Sequence, residues 1–136
     1  GMHVGDAVPF WVEACAEGRR NACDRLIQIE GTYCADNSAW ACNELGLRYA
    51  SADFPAADAA LARAYWSRAC ELRFVAGCLN LLEPPRAVAA PPGLLDLRLL
   101  LREGGRNLME ASPSELFARA CAHDWAFACS ASPGAP

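Results

Sequence analysis

Aromatic and small apolar residues fall at helical spacing along this chain, and they lead up to cysteines. Trp11 precedes Cys15, Trp66 precedes Cys70 and Phe117 precedes Cys121, each by four positions. Side chains four apart share one face of a helix, so each of these cysteines stands near the end of a helix whose inner face carries the ring. Alanine comes immediately before each of them, at Ala14, Ala69 and Ala120. A second cysteine follows eight positions on, preceded by a small residue: Ala22, Gly77 or Ala128. The pattern predicts helices over 8–16, 21–34, 38–51, 55–72, 75–83, 93–103, 113–122 and 125–131.

All eight cysteines obey one spacing: Cys15–Cys23, Cys34–Cys42, Cys70–Cys78 and Cys121–Cys129. The second pair keeps the spacing and has Ala41, but Glu30 stands where the aromatic belongs. Eight residues of continuous helix rise about 12 Å, whereas a disulfide needs Cα atoms about 4.4–6.8 Å apart. A bonded pair therefore requires a turn between its cysteines, which makes each unit an αα-hairpin clamped at its closed end. Two other uses of the thiols stay open. Zinc sites use two to four intervening residues and would draw on His3 or His123; buried free thiols need no partner at all.

Local signals agree with the helices. Asn21 and Ser38 are candidate N-caps, and Ser112-Pro113-Ser114-Glu115 has the form of a capping box with proline in the first turn. Pro55 opens the Ala-rich, amphipathic segment 56–72. Between Cys70 and Cys121 lies an insertion: a stiff, extended Pro-rich stretch over about 84–93, then a Leu-rich helix ended by Gly104-Gly105. The tail at about 130–136 is expected to fray.

Composition narrows the class. At 136 residues, 54% hydrophobic and 21% charged, the chain fits one domain with a real core. Its charge is −4 and all twelve of its cations are arginine, with no basic stripe for nucleic acid. Abundant alanine and few β-branched residues favour helix. No run reaches the roughly 18–20 apolar residues of a membrane span. Gly1 ahead of Met2 reads as an expression scar, so the missing signal peptide says little for the cytoplasm. Paired cysteines point instead to an oxidising compartment, periplasmic or secreted, with a cytoplasmic location as the alternative.

The segment Leu45-Gly46-Leu47-Arg48-Tyr49, through Asp58 and Ala64-Tyr65-Trp66 to Ala69-Cys70-Glu71-Leu72, resembles a Sel-one-like repeat, a relative of the tetratricopeptide repeat. The cysteine at each end of the turn is similar to the disulfide-bearing version, the Helicobacter cysteine-rich protein family. The resemblance covers Ala41–Leu82 best. It implies an all-α solenoid of three to four disulfide-stapled hairpins, exported from the cytoplasm and recognising protein or peptide partners. Penicillin binding or hydrolysis is a second implication. First cysteines 19 and then 51 residues apart, beside one interval of 36, depart from a regular repeat.

The residues give catalysis little to work with. No Gly-x-Ser-x-Gly elbow, Ser-x-x-Lys pair or phosphate-cradling loop is present, and His123 beside Asp124 reads as a surface turn. No cofactor or metal site is implied. Trp11, Trp66 and Phe117 are expected in the core. An exposed Trp40 or Trp125 would be a partner anchor, and the Leu-rich helix is expected to pack across the end of the array. The leading expectation is a protein- or peptide-binding scaffold. The alternatives are an enzyme acting on β-lactams and an interaction domain of a larger envelope protein.

Overall fold

A computed structural model describes residues 7–54, 56–103 and 106–131. Gly1-Met2, His3, Pro55, Gly104-Gly105 and the last five residues, on which several of the expectations above fall, lie outside them. Eight helices run through the described residues: α1 (Val8–Ala16), α2 (Arg20–Ala35), α3 (Ala39–Ala50), α4 (Ala59–Glu71), α5 (Val75–Asn80), α6 (Leu94–Leu100), α7 (Pro113–Ala122) and α8 (Ala126–Ala131). The fold is all-helical but for an antiparallel ladder of β1 (Arg102–Glu103) on β2 (Arg106–Asn107), two residues a side.

The packing divides into two compact units, one of residues up to Ile29 with those from Pro92 on, the other of Glu30–Pro91. In the first, α6 packs on α7 and α7 on α8. Its buried residues include Val8, Leu26, Leu97, Leu100, Leu116 and Trp125. In the second, α3 packs on α4 and α4 on α5, with Leu45, Ala62, Trp66, Ala69 and Ala76 buried.

Four disulfides close the chain at the expected pairs, with Cα–Cα distances of 4.6, 4.7, 4.7 and 4.8 Å. The sulfurs are bonded to one another, so neither thiolate ligands nor free thiols describe them. The turn inside each staple is the same. The third residue past the first cysteine has positive φ every time: Gly18 (89°), Asn37 (74°), Arg73 (69°) and Asp124 (68°). The next N–H returns to the carbonyl just before that cysteine: Arg19 to Ala14, Ser38 to Tyr33, Phe74 to Ala69 and Trp125 to Ala120. A left-handed residue with such a return bond ends a helix and sends the chain back. The small residues flanking the cysteines let the helices close: a Cβ on Gly77 would stand 2.7 Å from that of Ala69 and 3.0 Å from the Trp66 carbonyl.

One of these turns has the wrong residue for its backbone. Glycine occupies the left-handed region freely and Asn or Asp tolerate it, whereas Arg73 carries a full side chain there, exposed. Arg73→Gly is therefore expected to stabilise the chain by about 0.5–1 kcal/mol, relief of strain exceeding the entropy that glycine adds to the unfolded state. Thermal melts of the oxidised protein would show a midpoint a few degrees higher.

Caps account for most shifts from the predicted boundaries. Ser38 Oγ accepts the Ala41 N–H at 3.2 Å, and Ser112 Oγ accepts that of Glu115 at 3.1 Å while donating to its carboxylate at 3.2 Å. Asn21 caps nothing in this way, because α2 already begins at Arg20. α4 begins at Ala59, not 55: the Asp58 carboxylate accepts the Leu61 N–H at 3.0 Å, while the Asp58 N–H is held by the Tyr49 carbonyl at 2.8 Å. α5 stops at Asn80 and not at 83. α6 is shorter than expected, since Leu101 is extended (φ −95°, ψ 151°) and leads into β1. Asp96, buried, reaches back to the Gly93 N–H at 2.9 Å.

Candidate functional site

Within the second unit, three helix positions that should be apolar are polar. Asn43 on α3 and Asn80 at the end of α5 are both 0% exposed, and Glu30 is 1% exposed. Buried polar groups are costly unless satisfied, so their partners reveal what the interior is built around.

The two asparagines hold a piece of main chain. Beyond Asn80 the chain leaves α5 and continues as an irregular Pro-rich loop, and from Pro85 to Gly93 it runs with neither turn nor bend. It comes back so that Val88 lies against the asparagines. The Val88 N–H donates to Asn80 Oδ1 at 2.6 Å. Its carbonyl accepts from Asn80 Nδ2 at 2.9 Å and from Asn43 Nδ2 at 3.1 Å. Asn80 Nδ2 also donates to Asn43 Oδ1 at 3.0 Å, fixing the two amides against each other. Both hydrogen-bonding groups of one peptide residue are thus read by side-chain amides. Each bond is worth about 0.5–1.5 kcal/mol net. Against this, Ala87 just before it has φ +53°, a left-handed conformation that costs a non-glycine residue about 1–2 kcal/mol.

Beside the root of this loop is a cavity of about 560 Å³ whose lining includes Tyr49, Ala59, Ala62, Trp66, Pro84 and Pro85. Tyr49 stacks on Tyr65 with ring centres 5.7 Å apart and meets Phe54 edge-on at 5.9 Å. Burial, with Tyr65 and Asp58 nearby, raises the Tyr49 hydroxyl above its ordinary range, so it stays a neutral donor. Trp66 is 1% exposed, and its buried Nε1 has no hydrogen-bond partner. The pyrrole edge of that ring lies over Gly46, where any Cβ would overlap it. At the rim, Arg63 reaches Glu83 at 3.8 Å and the Leu81 carbonyl at 3.4 Å. A smaller hollow in the first unit, about 400 Å³, is lined by Phe10, Trp11 and Arg20 among others.

Glu30 is answered by Arg48 of α3 in a two-pronged pair, Nε to Oε1 at 2.6 Å and Nη2 to Oε2 at 2.9 Å. Glu44, one turn before Arg48, stands 3.6 Å from the same guanidinium. Two carboxylates therefore share one cation. Burial raises the Glu30 carboxyl and Arg48 pulls it back, and the forked geometry is that of an ion pair. The Arg48 guanidinium is raised by its two carboxylates against the opposing effect of its own burial. Glu44 carries the mismatch: burial first, then the charge of Glu30, push its carboxyl up to about 7, with Arg48 opposing.

This sets a pH dependence. An acid raised on folding binds its proton more tightly in the folded state, so stability falls as pH rises from about 4.5 to 7. For Glu44 the loss across that window is expected to be on the order of 2 kcal/mol. Urea melts at pH 5 and pH 8 check it: Glu44→Gln should shrink the difference between the two, and an unchanged difference would put the titration elsewhere.

The other expected residues fall as follows. Trp66 is in the core, while Trp11 and Phe117 are half-buried and Leu116, beside Phe117, is the fully buried residue. Trp40 and Trp125 are 5% and 6% exposed, so neither is an exposed anchor. Leu97, Leu100 and Leu101 are buried and Leu95 is exposed. His123 ends α7 in a staple turn. Among the described residues no helix is long and apolar enough to cross a membrane, and no group of three His, Cys, Asp or Glu could hold a metal ion. Four disulfides suit an oxidising compartment. Comparison with family models, with curated proteins and with solved structures returns no match for this chain.

Asn43, Asn80 and Val88 have no counterpart among the residues singled out from the sequence. The available signal was an asparagine close behind the second cysteine of two staples, Cys42-Asn43 and Cys78-Leu79-Asn80, on otherwise apolar helices. What the amides hold lies in the insertion, and no local pattern connects the two.

Proposed function

We propose that this chain is a protein- or peptide-binding scaffold, exported to the periplasm or secreted, whose stapled Sel-one-like hairpins stack as a short solenoid. The observation that carries the reading is the Asn43–Asn80 pair. It binds the N–H and C=O of one residue of irregular chain through amides that make no use of that residue's side chain. Main-chain recognition supplies affinity without sequence, and an adjoining cavity supplies a pocket for a side chain, which is how extended peptides are taken up elsewhere. The staples support the same role, since a rigid surface loses less entropy when it binds.

The test is selection from a displayed random-peptide library on the oxidised protein, wild type and Val88→Pro, with the enriched peptides measured by calorimetry. Enriched peptides should bind at least tenfold more weakly to Asn80→Ala. Selection that yields no peptide for either protein, or peptides indifferent to Asn80, would reject the reading.

A further inference from the structure

We propose that Val88 is a ligand in cis: the loop Glu83–Pro91 occupies the asparagine site and holds it closed against an external peptide of like chemistry. The inference rests on the peptide-binding reading above and adds its regulation and its ligand class.

Three observations support it. The loop is fastened at Val88 through main-chain groups, and Arg86, Ala87 and Ala89 around it are exposed while Val88 and Ala90 are half-buried, so lifting it uncovers two partly buried small apolar side chains and no fully buried one between Glu83 and Pro91. Ala87 is held left-handed without being glycine, so the docked loop carries strain that an incoming chain need not share. Asn43 and Asn80 are 0% exposed beneath it, and lifting the loop without replacing it would leave both amides short of partners. The asparagines therefore favour exchange of one peptide for another over an empty site.

The loop also describes its replacement. The clamped residue must keep its N–H and cannot be proline. The residue before it sits at φ +53°, which favours glycine, then Asn or Asp. Five positions ahead of the clamp, Glu83 faces Arg63 at 3.8 Å, and the prolines between them border the cavity. The ligand class is a proline-flanked, small-residue peptide with an acid near its start and glycine before the clamped residue.

The experiment uses the oxidised full chain and a fluorescein-labelled synthetic peptide of residues Glu83–Pro91 carrying Ala87→Gly, read by fluorescence anisotropy. Val88→Pro removes the N–H that fastens the loop and replaces no helix residue. It is expected to bind the peptide at least tenfold more tightly than wild type. N-methylation of the peptide at its clamped residue should abolish that gain. Equal affinity for wild type and Val88→Pro would overturn the cis occupancy and leave peptide binding standing. No binding to a Val88→Pro chain that keeps its helical circular dichroism would overturn both. Should Val88→Pro not fold, the Ala87→Gly chain decides instead: its loop is relaxed and more firmly closed, so it should bind the peptide severalfold more weakly than wild type, and equal or tighter binding would overturn the proposal. In wild type, saturating peptide should speed hydrogen exchange at the Val88 amide while α3 and α4 stay protected; an unaltered Val88 amide would count against displacement.

Discussion

Reduction of the four disulfides is expected to lower the melting midpoint by at least about 20 °C, or to remove the cooperative transition altogether. Each bond closes a short loop of sequence separation 8. In the chain-entropy account, a loop of this size removes about 2–3 kcal/mol worth of freedom from the unfolded state. Four together come to about 10 kcal/mol, within the 5–15 kcal/mol of net stability that a typical domain possesses. Several of the helices they join are short: α5 and α8 have six residues each and α1 has nine, below the length at which an isolated helix is stable in water. Circular dichroism melts with and without reductant, the thiols blocked by alkylation after reduction, give the number. A midpoint unmoved by reduction would mean that helix packing alone carries the fold. Removing single pairs locates the effect. Cys70→Ser with Cys78→Ser is expected to cost most in the second unit, where the pair joins α4 to α5 at the glycine-tight contact of Gly77 with Ala69.

The fold was legible because its signals are local. Cysteine spacing, the aromatic one turn earlier and the small residues beside each cysteine all act within about a dozen residues, and the structure repeats one turn at all four places. Caps were legible for the same reason: Ser38 and Ser112 bond to an N–H three residues on. Errors arose where a distant partner decides. α5 ends where Asn80 turns its amide to Val88, a contact that depends on the path of a proline-rich loop. Leu101 leaves α6 for an extended conformation and a ladder, although leucine is a strong helix former. Half-buried Trp11 and Phe117 show the limit of periodicity: it specifies the face of a helix, and the neighbour that face meets determines how much water is excluded.

The candidate site was hardly legible, although one of its signals was in view. Glu30 breaks the aromatic pattern ahead of Cys34, and in the structure it is more deeply buried than Asp96, the other buried acid among the described residues. The exception to the repeat marks where a helix face is specialised. Arg48, eighteen residues later, is its answer. That pairing could not be chosen among twelve arginines without knowing that α2 and α3 turn back on each other at the Cys34–Cys42 staple.

Arg48→Met should therefore be the most damaging single substitution in the second unit, costing about 3–5 kcal/mol at pH 7. It removes the cation that Glu30, 0% exposed at its side chain, shares with Glu44 at 15%. The methionine fills most of the volume, so the loss is electrostatic and not a cavity. Without Arg48, the Glu30 carboxyl rises further above its ordinary range, and the protein can recover by taking up a proton. The damage should shrink at pH 5 for that reason. Glu30→Met alone should be milder, because Arg48 keeps Glu44 as a partner and 17% of its side-chain surface in contact with water. The double substitution Glu30→Met, Arg48→Met should recover most of the stability lost by Arg48→Met, since a buried ion pair contributes little net against well-packed apolar groups. The coupling read from the urea melts of the four proteins isolates the pair. Coupling near zero would show that Glu30 and Arg48 are held by packing and not by each other. A large coupling that disappears at pH 5 would show that a single buried charge, and its need for a counter-charge, keeps α2 and α3 in register.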